Sequence, residues 1–228
     1  MTATPANQTT RTIADRMLDD LVQAIVTGAI APGAKINEAT LAKNYAVSRG
    51  PLREALRRLE GLRLIEHVPH AGARVVNLTG LELHEIYEVR EALEGMAARL
   101  AAEKMSEEEI DDLRALLETH EAGIEESSGR EYFQQEGDFD FHYRIIHGSG
   151  NARLVRLLCG QLYHLVRMYR FRASRGASRP RRALVEHRHI LDAIAERDGE
   201  LAEMLMRRHI AGARRNIEAH IANEENNA

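Results

Sequence analysis

The chain has few of the residues on which disulfide-bonded, β-rich and membrane-spanning proteins depend. Its 228 residues include a single cysteine, Cys159, so no disulfide can form within the chain. Tryptophan is absent and aromatic residues make up 4% of the sequence, a composition that favours helices over sheets. Residues 1–11 lack the apolar core of a signal peptide, and no apolar run approaches membrane-spanning length. These absences predict a mainly α-helical protein that is soluble in the reducing cytoplasm.

Charge is distributed unevenly along the sequence. Residues 1–77 hold 10 Lys and Arg against 7 Asp and Glu, whereas the remainder holds 21 against 28. A basic N-terminal part on an acidic body is typical of a DNA-binding module joined to a regulatory domain. The imbalance is small, so it indicates this function only together with the motifs that follow.

Residues 47–61 have the pattern of a short helix with one apolar face. Ser48 stands at a favourable N-cap position, where its hydroxyl can accept a bond from the first helical turn. Pro51 falls inside that turn, where the missing N–H costs no hydrogen bond. The apolar residues recur at helical spacing and predict a buried face: Leu52, Ala55, Leu56 and Leu59.

The same helix carries a second, basic face. Arg49, Arg53 and Arg57 are spaced four apart, and the first two lie near the helix start. Such a helix fits the DNA major groove, where arginine pairs with guanine or holds phosphates. Taken alone, the stretch is equally compatible with a solvated amphipathic helix.

The flanking sequence favours the DNA-binding interpretation. We expect helices over 12–27 and 38–44, the second capped by Asn37, and strands over 64–68 and 73–76. Two short helices joined by a tight turn form a helix-turn-helix, and the two strands form a wing. The pattern therefore predicts a winged helix-turn-helix domain over 10–77, preceded by a disordered N-terminus over 1–9.

The run LAKNYAVSRGPLREALRRLE, preceded by APGAKINEATLA and followed by IEHVPHAGARV, resembles the N-terminal domain of the GntR family of bacterial transcription regulators. The resemblance implies DNA reading by Arg49 and Arg53 and a wing contact at Gly72. Ser48 and Arg57 complete the predicted DNA-binding set.

Two positions depart from the family pattern. Many members carry a basic or polar DNA-contacting residue where Ala39 stands here, so a contact from the second helix is expected to be missing. The glycine usual before the first wing strand is replaced by Arg63, with Gly61 two residues earlier. We therefore expect the corner between helix and wing to run differently.

The rest of the chain predicts a helical bundle. Thr79 with Glu82 and Ser106 with Glu109 are capping-box pairs, opening helices to about residues 104 and 124. Polar or Gly-containing breaks separate four further predicted helices: 130–147, 152–173, 179–197 and 199–222. The fold class is thus mainly α, with an antiparallel bundle of about six helices over 78–222 and a tail over 223–228.

Four polar side chains fall on apolar helix faces of this bundle: Asp138, His142, His187 and His209. A single inward histidine is more often a hydrogen-bonded core residue, and that interpretation stays open. Four such groups together are costly to bury unless they share a partner, which a divalent metal would supply. One carboxylate and three imidazoles suit zinc first, with nickel, iron or manganese as alternatives.

The segments VREALEGMAARLAA, DFDFHYRIIHGSGN, EHRHILDAIAERD and MRRHI resemble the FCD effector domain of the FadR-like subfamily of these regulators. The resemblance implies that its metal-binding Asp and three His correspond to the four residues above. Its Arg-x-x-x-Glu pair corresponds to Arg90 and Glu94. Arg90 is a candidate for holding an effector carboxylate, or else forms only an intrahelical pair with Glu94. Arg167 is a second candidate effector residue.

The sequence thus predicts a homodimeric transcription regulator that binds a near-palindromic operator in double-stranded DNA. A small carboxylate metabolite at the metal site is expected to control DNA binding. Two alternatives remain at this point. One is a regulator that senses the metal ion itself, and the other is a metal-dependent hydrolase.

Overall fold

The computed structural model describes residues 11–70, 72–127, 136–137, 140–173 and 179–226, the side chains of 161, 179 and 223–226 excepted. The chain forms two structural units, Met1–Val76 and Asn77–Ala228. Both units are mainly helical in these ranges, and the predicted fold class is confirmed. None of the helices described is both long enough and apolar enough to cross a membrane.

The N-terminal unit contains three helices and a two-stranded wing. The elements are α1 Ile13–Val26, α2 Glu38–Asn44, α3 Arg49–Gly61, β1 Ile65–Val68 and β2 Gly72–Val75. The strands pair antiparallel, with Ile65 opposite Val75 and Val68 opposite Gly72. The segment before α2 also bonds to β2, since the Ile36 N–H donates to the Ala73 carbonyl over 2.8 Å. That second, short pairing was not predicted from the sequence.

Apolar faces of α1 and α3 form the core of this unit. Leu21 and Ile25 of α1 and Leu52 and Leu59 of α3 are fully buried, as expected from their spacing. Outside the core, the Arg58 guanidinium of α3 pairs with the carboxylate of Asp15 on α1 at 2.6 Å. The two helices are thus joined by hydrophobic contact inside and by one ion pair at the surface.

The corner between α3 and the wing takes a left-handed backbone. Arg63 has φ of 59°, a conformation that glycine adopts freely and other residues adopt at a cost. The corner between α3 and the wing, which was expected to differ from the family pattern, therefore has a backbone conformation typical of glycine at a position occupied by arginine. The Arg63 side chain is exposed, so the cost is borne by the backbone alone.

The C-terminal unit is built from helices α4 Gly80–Lys104, α5 Glu107–Glu126, α6 Phe141–Gly148, α7 Ala152–Leu154, α8 Tyr163–Ala173, α9 Arg179–Ala195 and α10 Gly199–Asn226. A π-helical segment, Val155–Leu162, joins α7 to α8 without a break. Thr79 and Ser106 cap α4 and α5 through the predicted capping boxes. Helix α10 continues to Asn226, beyond the predicted end at residue 222.

Helices α4 and α10 run antiparallel along most of their length. His84 near the start of α4 contacts Glu218 near the end of α10, with 2.7 Å between Nδ1 and Oε1. Arg99 near the end of α4 contacts Glu203 near the start of α10 at 3.7 Å. The order of these pairs establishes the direction, and it agrees with the predicted antiparallel bundle.

One predicted helix, 130–147, is wrong in its start. Helix α6 begins at Phe141, with Asp140 as its N-cap. Gly137 has φ of 67°, which is incompatible with an α-helix running through it. Residues 128–135 and 138–139 lie outside the described residues, and so does Asp138, the predicted carboxylate ligand.

The left-handed corner generates a stability prediction. Arg63→Gly should stabilise the N-terminal unit by about 0.5–1 kcal/mol, because glycine adopts φ near 60° without the Cβ clash. Amide hydrogen exchange of α1 and α3 would measure the opening free energy of this unit separately from the other.

The matched control is Arg16→Gly, the same exchange at an exposed position inside α1. It should destabilise by about 1 kcal/mol, since glycine weakens a helix interior. Equal loss of protection in both variants would contradict the assignment of strain at Arg63.

Candidate functional site

The exposed face of α3 presents the three predicted arginines to solvent. Arg49 is exposed, and Arg53 and Arg57 are 69% and 74% exposed at their side chains. Arg53 pairs with Glu38 of α2 at 3.3 Å, and Arg57 pairs with Glu54 of α3 at 2.5 Å. Both ion pairs are solvated and weak, so either arginine can exchange its carboxylate for another anion.

Ser48 lies at the N-cap of α3, as predicted, but its hydroxyl makes no capping hydrogen bond. The expected role of that hydroxyl in capping is therefore wrong. The side chain is exposed beside the first N–H groups of the helix, where backbone donors and the helix dipole favour anions. In the wing, Gly72 has φ of 83° and begins β2, and a Cβ there would contact only Lys35 Cε at 4.0 Å. On α2, Ala39 is exposed and offers no polar group.

Inside the C-terminal unit, three of the four predicted metal residues come together. His142 of α6, His187 of α9 and His209 of α10 are all at most 5% exposed. Each offers one ring nitrogen such that the three nitrogens lie within 4.8 Å of one another. Three separate helices therefore direct their imidazoles to one buried point.

The geometry of this cluster fits a metal ion. The Nε2 atoms of His187 and His209 are 3.2 Å apart, close to the roughly 3.3 Å expected for two nitrogens bound to one tetrahedral zinc. Burial, and then the neighbouring His209 and His142, lower the pKa of His187 well below its usual range. His187 is therefore neutral at pH 7, the form in which imidazole binds metals.

Two carboxylates orient the other imidazoles. Glu94 of α4 lies 2.7 Å from the Nδ1 of His142, and Glu186 of α9 lies 2.7 Å from the Nδ1 of His209. Burial alone would raise the pKa of Glu94, but Arg90 and His142 hold it well below its usual range. Two anionic acceptors fix protons on both Nδ1 atoms, so each Nε2 carries the lone pair that can bind a metal, an arrangement common around protein metals.

Sequence reasoning missed both orienting roles. Glu94 was considered only as the helical partner of Arg90, and Glu186 was not considered. A signal existed, because an arginine stands four residues before each glutamate, at Arg90 and Arg182. That spacing cannot show which histidine each carboxylate meets, since the contacts join different helices.

A third carboxylate, Asp140, is completely buried next to this cluster. Its Oδ1 accepts the N–H groups of His142 and Tyr143 at the start of α6, and its Oδ2 pairs with Arg170 of α8 at 3.0 Å. Sequence reasoning assigned the metal-binding role to Asp138 and gave Asp140 none. The aspartate nearest to α6 in the described residues thus caps the helix and pairs with a partly buried arginine.

The two predicted effector residues are both buried. Arg90 is 3% exposed, donates from Nε to Glu94 over 2.6 Å and stacks on the Tyr87 ring at 4.5 Å. The intrahelical pair considered for Arg90 therefore exists, yet its Nη1 is buried without a hydrogen-bond partner among the residues that the structure describes. Arg167 of α8 is 1% exposed and donates to Glu136 over 2.8 Å.

Two further histidines lie near these buried polar groups. The His164 side chain is only 11% exposed and lies 3.7 Å from Glu136. His120 of α5 is close enough to His187 to contribute to the lowered pKa of that group. The buried polar interior is thus larger than the predicted ligand set.

Together these features define a DNA-binding winged helix-turn-helix unit followed by an all-helical unit with a buried histidine centre. Residues 85–212 match the FCD domain, and residues 13–75 match the family described as bacterial regulatory proteins, gntR family. The chain therefore belongs to the GntR family of bacterial transcription regulators, whose members bind double-stranded DNA. It is a transcription regulator rather than an enzyme, which removes the metal-dependent hydrolase from consideration.

Individual relatives agree with this assignment. The HTH-type transcriptional regulator YdhC of Bacillus subtilis is 32% identical over 193 residues, 84% of each chain. A protein of Paenarthrobacter nicotinovorans, described as a probable D-xylose utilization operon transcriptional repressor, is 33% identical over 92% of this chain and 91% of its own. The solved structure of McbR/YncC from E. coli has the same fold, with a TM-score of 0.72 at 23% identity, covering 93% and 99% of the two chains.

The ion pair between the buried Asp140 and the partly buried Arg170 generates a prediction. Asp140→Asn keeps a capping side chain but removes the charge, and should destabilise the C-terminal unit by about 1–3 kcal/mol because Arg170 loses its carboxylate partner. Asp140→Ala should cost about 1 kcal/mol more, through loss of the cap. Urea unfolding followed by tyrosine fluorescence reports on this unit, since five of the six tyrosines lie in it.

An exposed pair provides the control. Asp111 is 72% exposed and pairs with Arg114, so Asp111→Asn should change stability by no more than about 0.5 kcal/mol. If Asp140→Asn changed stability as little as this control does, the Asp140–Arg170 pair would not be stabilising the unit.

Proposed function

We propose that the chain is a homodimeric repressor of transcription, active in the cytoplasm, whose operator binding is controlled by a small carboxylate metabolite at a metal-containing site. The observation that carries the proposal is the convergence of three buried imidazoles from three helices. Repression is proposed because the relative from Paenarthrobacter nicotinovorans is described as a repressor. Control of DNA binding by the ligand is proposed because the same chain carries a DNA-binding unit and a candidate ligand site.

In this proposal α3 enters the DNA major groove. Arg49 and Arg53 pair with base edges or phosphates, and Arg57 holds a phosphate further along the backbone. The free hydroxyl of Ser48 and the first N–H groups of α3 bind a phosphate, and Gly72 lets the wing backbone approach the duplex. Arg53 would exchange Glu38 for DNA, a change that the exposure of their ion pair makes inexpensive.

A homodimer is proposed because one short helix contacts too few base pairs to select a site in a genome. Two copies related by a twofold axis would read the two halves of a near-palindromic operator. Spacing between the half-sites then has to match the spacing between the two recognition helices. A ligand that changes the preferred spacing changes operator affinity.

The proposed metal residues are His142, His187 and His209, with Asp138 as the carboxylate carried over from the family resemblance. Zinc suits this donor set first, and nickel, iron or manganese are alternatives. When bound, the metal offers open coordination positions to a carboxylate oxygen. Glu94 and Glu186 keep two of the imidazoles in the tautomer that can bind.

Arg90 and Arg167 are proposed to hold a second acidic group of the effector. Both lie buried, where a charge-assisted hydrogen bond is stronger than at the surface. Arg90 has a buried Nη1 without a hydrogen-bond partner in the described residues, which is the kind of donor that a bound carboxylate satisfies. The alternative is a regulator that senses the metal ion itself, in which these arginines only stabilise the fold.

The DNA-binding assignment predicts separate effects on binding and folding. Arg49→Ala or Arg53→Ala should cost about 1–3 kcal/mol of operator affinity and relax specificity at one base pair, if the residue reads a base edge. Neither side chain is buried, so melting should not change. Arg114→Ala, an exposed arginine of the C-terminal unit, is the control and should bind DNA as the wild type does. Unchanged affinity in both α3 variants would reject α3 as the recognition helix.

The metal assignment predicts a loss of stability on chelation. Metal bound to the folded chain stabilises it by mass action, about 2.7 kcal/mol at a hundredfold excess over the dissociation constant. Chelator should therefore lower the melting temperature of the wild type. Metal affinity should also fall in acid, because imidazoles must be neutral to bind. For His187 this loss should come well below the usual histidine range, because its pKa is lowered.

His187→Ala should lose both metal and effector response while keeping DNA binding. The control is His147→Ala, an exposed histidine on α6. The metal site would be rejected by two results together. Elemental analysis would find no more than traces of transition metal in protein never exposed to chelator, and added zinc, nickel or manganese would not stabilise the protein. Titration of operator binding with metal alone, and then with organic acids at fixed metal, separates effector sensing from metal sensing.

A further inference from the structure

A basic groove lies on the outer surface of the C-terminal unit, between α9 and α10. Its volume is about 390 Å³, and four basic side chains line it: Arg182, His189, Arg208 and Arg215. Its inner wall contains Glu186 and His209. The groove therefore meets the histidine centre from the solvent side, away from the buried arginines already described.

The groove is connected to the histidine centre by a chain of two hydrogen bonds. Arg182 donates from Nε to Glu186 over 2.9 Å, and the other carboxylate oxygen of Glu186 lies 2.7 Å from the Nδ1 of His209. The same Arg–Glu–His sequence of contacts occurs at Arg90, Glu94 and His142, with distances of 2.6 Å and 2.7 Å. Two of the three imidazoles are thus held in the same way.

We call each of these Arg–Glu–His chains of contacts a relay: the inner relay starts at Arg90 and the outer relay at Arg182. The two relays differ in their exposure to solvent. The Arg90 and Glu94 side chains are 3% and 4% exposed, whereas those of Arg182 and Glu186 are 70% and 22% exposed. The inner relay is closed by the fold. The outer relay ends in a guanidinium that a dissolved ligand can reach.

The charges of the groove favour an anion. Three guanidinium groups line it against one carboxylate, Glu186, which Arg182 already contacts. Arg208 and Arg215 are exposed, and neither has a carboxylate within ion-pair distance in the described part of the chain. Guanidinium forks bind phosphate and carboxylate oxygens through paired charge-assisted hydrogen bonds.

We propose that this groove is a second ligand site, for a small anion bearing a phosphate or carboxylate group, and that it is coupled to the histidine centre through Glu186. The anion contacts Arg208 and Arg215 and draws Arg182 away from Glu186. Relieved of that cation, Glu186 polarises the Nδ1–H of His209 more strongly. His209 becomes a better ligand for a cation at its Nε2.

The direction of the coupling follows from electrostatics. A negative charge in the groove and a stronger His209 donor both favour a bound cation, so the two effects reinforce each other. Because binding linkage is reciprocal, a bound metal must raise the affinity for the anion by the same factor. The coupling depends on the metal proposed above, whereas the anion site does not.

Sulfate is a suitable probe, because it is a compact dianion. Equilibrium dialysis of labelled sulfate against the metal-free full chain, at ionic strength held constant with chloride, should show saturable binding. The double variant Arg208→Gln/Arg215→Gln should bind about tenfold more weakly or worse. Arg207→Gln is the control, since it is a neighbouring exposed arginine of α10 that does not line this groove, and it should bind as the wild type does.

Displacement of labelled sulfate by inorganic phosphate or by malonate distinguishes phosphate esters from dicarboxylates as the natural class. Absence of saturable binding, displacement by neither anion, or equal binding in the double variant would overturn the site.

The coupling is tested by zinc affinity, measured by competition with a chromophoric chelator in sulfate and in chloride at equal ionic strength. Sulfate should tighten zinc binding about fivefold or more in the wild type and leave the double variant unchanged. Sulfate binding without this change would overturn the coupling. Failure of zinc to bind at all would reject the metal proposal and leave the dialysis result standing.

Discussion

The C-terminal unit depends on burying three imidazoles at one point without burying a net charge there. Burial lowers the pKa of His187 and keeps that ring neutral, while carboxylates accept from the Nδ1 atoms of His142 and His209. Each carboxylate is in turn met by an arginine, so no ion in the chain of contacts is left alone in a low-dielectric interior. Helices α4, α6, α9 and α10 are therefore held in register by polar contacts as well as by their apolar faces.

How far the sequence predicts this structure depends on whether the signal is local. The starts of α4 and α5 could be predicted because a capping box lies entirely within four consecutive residues. Helix α6 could not, since nothing local shows that Gly137 has positive φ and that Asp140 begins the helix. The histidines could be selected as inward residues from their spacing. The roles of Glu94 and Glu186 could not, because each meets a histidine on another helix.

The arginines of the two units differ in their exposure to solvent. On α3 the arginines Arg53 and Arg57 are solvated and weakly paired, so they can change partners when another anion replaces a carboxylate. In the helical unit the arginines Arg90 and Arg167 are buried, so any change of partner has to be compensated inside the fold. Exposure thus suits the first set to rapid exchange and burial suits the second to selective recognition.

The π-helical segment Val155–Leu162 has a consequence for how the chain tolerates length changes. A π turn accommodates more residues than an α turn, so the side chains of α8 are rotated about the helix axis relative to those of α7. The extra residue is absorbed in the segment, and α8 keeps the face that buries Arg167. Loss of a single residue within the segment would let it return to α geometry and leave that face of α8 in place. The same loss inside α8, before Arg167, would instead turn the rest of the helix by about 100° and carry Arg167 and Arg170 away from their partners together.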